Sequence, residues 1–261
     1  MTASLIFIKL LTTIALVLGL SWVAERIDTR FAGILSGMPL GSLLVLIFVG
    51  HDLGAEFTAE SALYGIPSLA GTLVFAGVYY LASRTSHRLG PLRGTLVALP
   101  FYFAIAYGLS AVTFNLAGGL LLAGFAIFLA IRLFANIPEE RVAKRVRLTA
   151  GHLLFRAGMA AFFVVGITGL AESVGPRWSG LLIGFPITFL PFLLIIHITY
   201  SRQHAHTIIK NFPAGLGGLI SYLALINLTV VSVGINLSIL IGLAGSLAYL
   251  AIIGYMFKKR A

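Results

Sequence analysis

Long apolar segments alternate with short polar ones along the whole chain. Each apolar segment has about 18 or more residues, enough to cross a hydrocarbon core about 30 Å thick as an α-helix. The pattern predicts nine such spans, at about 4–24, 31–50, 59–83, 94–112, 115–134, 152–171, 178–199, 207–231 and 235–257. Because a helix satisfies its backbone hydrogen bonds internally, the sequence predicts an all-α polytopic membrane protein.

Composition supports this class and excludes several kinds of site. Hydrophobic residues make up 59% of the chain and charged residues 10%, and the mean hydropathy is +1.03. The chain has no cysteine, which excludes disulfides and thiol chemistry. A net charge of +10 would suggest a nucleic-acid partner in a soluble protein. In a membrane protein the same charge is explained by topology, so no nucleic-acid partner is expected.

The distribution of basic residues fixes the predicted span count. The segment 96–134 would make one helix of about 60 Å, twice the membrane core, so it must turn. A turn at Thr113, Phe114 and Asn115 leaves 16 of the 18 Lys and Arg residues on one side of the membrane and one on the other. The remaining residue, Lys9, lies inside the first span. The positive-inside rule then predicts an inner-membrane protein with its N-terminus outside and its C-terminus in the cytoplasm.

The chain contains a partial copy of itself. Residues 9–46 align with residues 156–193 at a constant offset of 147, and about ten of the 28 positions from 19 to 46 are identical. After one deleted residue, Pro67 aligns with Pro213. A repeat of this length in a membrane protein is typical of transporter folds built from two halves.

The two copies are predicted to have opposite orientations. Each contains four of the nine spans, and the span 115–134 belongs to neither, so this extra crossing turns the second copy over. The domains are therefore repeat 1 at 1–112, a linker helix with a basic cytoplasmic loop at 113–150, and repeat 2 at 151–261. Inverted halves suit an alternating-access carrier and also a dual-topology channel.

The second span of each copy carries two glycines four residues apart and then a proline. The members of this motif are Gly33, Gly37 and Pro39 in the first copy and Gly180, Gly184 and Pro186 in the second. Glycines at this spacing permit close helix approach, and proline removes a backbone hydrogen bond. Matched interruptions near mid-membrane are typical of transporter binding sites. Gly37, Pro39, Gly184 and Pro186 are therefore predicted to bind substrate; ordinary kink and packing roles are the alternative.

A basic residue lies a few positions inside the first span of each copy. Lys9 and Arg156 occupy equivalent positions, near opposite membrane faces. A cation at this depth is unfavourable unless it snorkels to the interface or pairs. Snorkelling is one interpretation, and the other is that each residue lines one mouth of an anion path.

An acidic and a basic residue follow the first span of each copy. Glu25 precedes Arg30 by five residues, and Glu172 precedes Arg177 by five. A local ion pair around the turn is the structural interpretation. A gate that breaks and re-forms as the halves move is the functional interpretation.

The remaining polar residues predict no chemistry. His51 and His197 lie near span ends, where an interfacial position is favoured over proton transfer. His204 and His206 are two apart in a predicted loop, which is poor spacing for a metal. Without a mid-membrane carboxylate, a carboxylate proton relay is not supported. A catalytic triad, a glycine-rich phosphate loop and a His-Glu metal motif are also missing, so neither enzyme activity nor a cofactor or metal is expected.

The segment from Arg177 through Pro186 to His197 resembles the GlpM family of small four-span bacterial inner-membrane proteins. The likeness includes the basic residue of the first span, which is Arg156 here and Lys9 in the other copy. It covers most of 152–257 and, less closely, 5–112. The resemblance implies a bacterial-type inner membrane and two fused four-span units, and it implies no mechanism.

Two functions are consistent with these patterns. The first is a secondary transporter or channel that moves a small anionic solute by alternating access, at the interface between Pro39 and Pro186. The alternative is a non-transporting accessory subunit of an envelope biogenesis complex, docked through the basic loop 141–147. The expected partners are the lipid bilayer, the anionic solute, and a membrane-protein partner or a second copy of the chain.

Overall fold

The chain forms a bundle of helices. The computed structural model describes residues 7, 10–15, 37–84, 89–140 and 149–260, and these contain no strand. Eight helices follow one another from residue 40 onward: α1 Leu40–Leu53, α2 Ala55–Ser83, α3 Gly90–Ser110, α4 Leu116–Phe134, α5 Ala150–Ile183, α6 Phe189–Thr199, α7 Arg202–Val233 and α8 Ile235–Arg260. In the described part, six of them (α2, α3, α4, α5, α7 and α8) are long and apolar enough to cross a membrane. The prediction of an all-α polytopic membrane protein is confirmed.

Two predicted spans are interrupted rather than continuous. In the span 178–199 the helix ends at Ile183 and resumes at Phe189, and in the span 31–50 helix α1 begins only after Pro39. The resulting helices α1 and α6 have 14 and 11 residues. At 1.5 Å per residue the two helices reach roughly 21 and 16 Å, about one half to two thirds of the membrane core. The predicted first span, 4–24, lies mostly outside the described residues.

Single glycines join three pairs of helices. Gly54 separates α1 from α2, Gly234 separates α7 from α8, and Gly175 divides α5 into two parts. All three have φ between 78° and 90° with ψ near 170–180°, a conformation available almost only to glycine. The connection predicted between spans 152–171 and 178–199 is therefore the single residue Gly175, where the chain reverses direction.

Helices α2 and α7 form the centre and run antiparallel. At one end the Asn227 amide donates to the Ala59 carbonyl over 2.9 Å, and at the other Ser83 Oγ lies 2.9 Å from His206 Nε2. Helices α3, α4 and α8 pack outside this pair and are much less buried than α2. Large apolar side chains on α3 and α4 face outward, including Leu96, Phe101, Tyr107, Leu121 and Phe125. This surface contacts lipid.

The bundle has two chemically different ends. The turn end contains Gly54, Gly175 and Gly234, and there His51 Nε2 lies 3.1 Å from the side-chain oxygen of Asn236. The basic end contains Arg84, Arg202 and Lys210; Arg202 donates to the Arg84 carbonyl, and Lys210 donates to the Ile137 carbonyl over 2.9 Å. This segregation agrees with the predicted sidedness of the loops. The membrane and the orientation of the termini stay predictions.

Candidate functional site

The break between α5 and α6 leaves backbone groups without helical partners, and neighbouring helices bind them. Thr72 Oγ1 on α2 donates to the Gly184 carbonyl, and Tyr102 Oη on α3 donates to the Leu181 carbonyl over 2.5 Å. An unpaired carbonyl in a membrane interior is unfavourable by several kcal/mol, so these hydroxyls stabilise the broken backbone.

The break before α1 has the same backbone geometry. The Leu40 N–H donates to the Met38 carbonyl over 2.8 Å, and the Leu43 N–H donates to Pro39 over 2.6 Å. The residues 147 positions later repeat both bonds, from Ile187 to Phe185 and from Leu190 to Pro186, over 2.6 and 2.9 Å. The matched Gly-x-Pro motifs therefore produce matched helix starts.

The two breaks meet and enclose a cavity. A Cβ atom built on Gly41 would lie 3.0 Å from the Cβ of Ile187, so the two segments touch. Beside this contact is a small, partly open cavity of about 30 Å³, which is room for only one or two water-sized groups. Its lining includes Met38, Gly41, Ser42, Thr72, the segment from Gly184 to Phe189, and Phe212.

The cavity carries a positive potential from both helix starts. Among the described residues, no acceptor is found for the backbone N–H groups of Gly41, Ser42, Thr188 and Phe189, and all four residues line the cavity. Free N–H groups at a helix N-terminus carry the positive end of the helix dipole. Two such ends at one cavity favour a ligand with negative charge or strong acceptor atoms.

Arg156 is buried two turns inside α5. Its side chain is 7% exposed, and its guanidinium carbon lies 5.1 Å from the centroid of the Phe192 ring. Within the described part of the chain, Arg156 Nε has no hydrogen-bond partner. The snorkelling interpretation is therefore wrong for Arg156, because the side chain does not reach the surface. None of the described carboxylates is in salt-bridge contact with Arg156.

Six residues are predicted to bind substrate, with Lys9 and Arg156 among them, and the structure places Gly184 and Pro186 of these in the cavity lining. Gly37 is buried against α7, where a Cβ atom would overlap the backbone of Gly215, and buried Pro39 precedes the cavity-lining helix start. Lys9 lies outside the described residues.

The predicted local ion pair between Glu172 and Arg177 does not form. Arg177 Nε lies 3.5 Å from a carboxylate oxygen of Glu60 on α2, and its guanidinium lies over the Tyr64 ring. Helix α5 continues past Glu172 to Gly175, which directs Arg177 toward α2. Glu25 and Arg30, the equivalent pair, lie outside the described residues.

Two histidines have surroundings that differ from those predicted. His206 lies in α7 rather than in a loop, because Ser201 caps that helix by accepting from the His204 N–H. His206 and His197 are 7% and 6% exposed, so both are buried between helices. The Ser201 cap is a helix-start signal that sequence reasoning missed. Thr72 and Phe212, also missed, have no signal of their own in the sequence.

No protein-family model, curated protein sequence or solved structure matches this chain. The likeness to the GlpM family therefore stays a prediction.

Proposed function

We propose that this multi-pass membrane protein is a secondary transporter or channel for a small anionic solute, bound where the two helix breaks meet. The observation that carries this proposal is the pair of helix N-termini, with four N–H groups that lack described acceptors, at one cavity. Discontinuous helices whose N-termini point at an anionic group are a recurring transporter design. Phe189 and Phe212, stacked with their ring centroids 3.8 Å apart, supply an apolar wall.

An inverted relation between the halves is part of the proposal. Helices α2 and α7, equivalent in the repeat, pack antiparallel. Helix α1 runs from the breaks to the turn end, and its equivalent α6 runs from the breaks to the basic end. These directions and the matched backbone hydrogen bonds support two halves able to exchange conformations around one central site.

Cations extend the proposed path from the cavity toward the basic end. Arg156 lies six residues from the start of α5, roughly 9 Å along the helix. Its neighbour Phe192 follows the cavity residue Phe189 by about one turn of α6. An anion that enters from the basic end would therefore pass Arg156 before it reaches the cavity. In the proposal Lys9 has the equivalent role in the first half.

The ion pair between Arg177 and Glu60 is proposed as the gate contact at the turn end. Both side chains are more than 40% exposed. Exposed ion pairs typically contribute about 0–1 kcal/mol, so this contact can break and re-form in each transport cycle.

Replacing Arg156 tests the anion path. In proteoliposomes loaded with small inorganic and carboxylate anions, we expect Arg156→Ala to lower anion flux at least about tenfold, since a lost charged contact is typically worth about 1.5–3 kcal/mol. Arg156→Lys should retain part of the flux because the charge remains. Lys9→Ala should impair flux to a similar degree.

Arg132→Ala is the matched control, because Arg132 is an exposed cation at the end of α4 and lies over the Phe128 ring. Full flux in the Lys9→Ala/Arg156→Ala double variant would contradict the anionic path. If wild-type protein moves no anion and instead co-purifies with a stoichiometric membrane partner, the accessory-subunit alternative replaces the transporter.

A further inference from the structure

Two buried histidines lie face to edge near the basic end. His197 is on α6 and His206 is on α7, and their ring centroids are 6.2 Å apart with the planes at 82°. His197 Nδ1 lies 2.9 Å from Tyr79 Oη, and His206 Nε2 lies 2.9 Å from Ser83 Oγ. Helix α2 thus holds one nitrogen of each imidazole.

One imidazole nitrogen of this pair has no partner. His197 Nε2 is buried and forms no hydrogen bond within the described part of the chain. A Cβ atom on Gly90 would lie 3.2 Å from that nitrogen, so the absence of a side chain at the start of α3 leaves room beside it. In one tautomer Nε2 carries a proton that has no acceptor among the described residues. In the other tautomer Nε2 has a lone pair that can accept a proton.

The groups around the pair are hydroxyls and cations. Helix α2 and the residue after it contribute Tyr79, Tyr80, Ser83 and Arg84. Helix α7 contributes Arg202 and His206. The start of α5 contributes His152 and Arg156, which lie on the far side of α6. Among described residues, no carboxylate is in salt-bridge contact with either imidazole. A proton bound here therefore adds positive charge to an already positive region.

Two imidazoles this close repel each other strongly when both are charged, so the pair binds one proton beyond the one that each neutral ring already carries. An anion bound at the two helix breaks or beside Arg156 offsets that charge. Helix α6 connects the two places, since its first residue lines the cavity and His197 lies near its last turn.

We propose that His197 and His206 form a proton-binding site, and that the protein carries one proton together with its anion. This inference rests on the proposed function. The proton comes from water at the basic end, one N–H bond forms on an imidazole, and the proton leaves to water on the other side. No other covalent bond changes.

Proton binding and anion binding are coupled because the two ligands compensate each other's charge and because α6 connects their sites. A proton without the anion leaves an imidazolium next to cations, and the anion without the proton lacks one of its counter-charges. Each ligand therefore favours the binding of the other, and this relation is reciprocal. An inward anion gradient should then drive protons inward.

The transport test uses proteoliposomes that contain a trapped pH-sensitive dye and an imposed chloride, nitrate or acetate gradient, with the membrane potential clamped. Wild-type protein should acidify the lumen as the anion enters. His197→Gln and His206→Gln should lose the anion-driven pH change and the dependence of flux on external pH, and they should lower anion flux because the anion loses one counter-charge. His204→Gln, whose imidazole bonds to Ser201 on the same helix, should behave like wild type.

Retention of the anion-driven pH change in both His197→Gln and His206→Gln would overturn the inference.

A second measurement does not depend on transport. It follows the imidazole nitrogens of purified, histidine-labelled wild-type protein by NMR from pH 8 to pH 4. The His197 signal is assigned from His197→Gln or, if that variant does not fold, from its Nδ1 shift in Tyr79→Phe. Protonation of one imidazole of the pair supports the site even if no anion is transported, in which case the proposed function alone fails. Two imidazoles that stay neutral overturn the inference.

Discussion

Single glycines set how closely α5 approaches α2 before the break. A Cβ atom at Gly180 would overlap the carbonyl oxygen of Ser61 and lie 2.7 Å from the Tyr64 Cβ, whereas one at Gly166 would meet nothing within 4 Å. We expect Gly180→Ala to destabilise the protein by about 1–3 kcal/mol, the usual effect of overpacking. Gly166→Ala, on the same helix, should be neutral or stabilising by up to about 1 kcal/mol. Thermal unfolding in detergent measures both, and equal melting temperatures would disprove the close approach.

Residue chemistry was predictable where it depends on neighbours along the chain. The Gly-x-Pro motifs at Pro39 and Pro186 predicted the two breaks correctly. The partners of Arg177 and His197 were not predictable, because Glu60 and Tyr79 lie more than 100 positions away. The burial of Arg156 depends on Phe192, which reaches it only after the chain has turned at the break.

The helices depend on one-residue linkers in a glycine-only conformation. Gly234 has φ 80° and ψ 169°, and a Cβ atom there meets nothing within 4 Å, so any penalty for alanine is purely conformational. Gly234→Ala should destabilise the protein by about 1–3 kcal/mol. Gly158→Ala, in the regular helix α5 and equally free of neighbours, should not. Unfolding curves that coincide for Gly234→Ala and wild type would show that the linker has another backbone geometry.

The lengths of the apolar segments predicted the helices correctly, and they predicted the ends of the helices less accurately. All eight described helices overlap a predicted span, but α5 joins two predicted spans across Gly175 and α7 starts five residues before the prediction. The start of α7 was predicted too late because the residues before it are polar and charged. The segment from Arg202 to His206 is polar, yet it is helical because its polar face meets α2 and the end of α4 rather than lipid.

At the scale of the whole molecule, the segregation of charge predicts how the bundle lies in the membrane. Because the chain has no cysteine, single cysteines report topology without background. Ser232 is exposed at the turn end and Asn136 at the basic end. Ser232→Cys should react with a membrane-impermeant maleimide in intact cells, and Asn136→Cys only after the membrane is opened. The opposite pattern would reverse the orientation, and labelling of both in intact cells would indicate dual topology.

The one-residue linkers also determine where the protein can be cut or extended. Proteases and successful insertions both need an exposed stretch of chain that is free of regular structure. At the turn end the described helices are joined by one glycine each or, between α3 and α4, by residues 111–115. This face should therefore resist added trypsin, and an epitope inserted at Gly54 or Gly234 should disrupt the fold. The longer connection between α4 and α5, at the opposite face, is the place for a tag or a fused reporter.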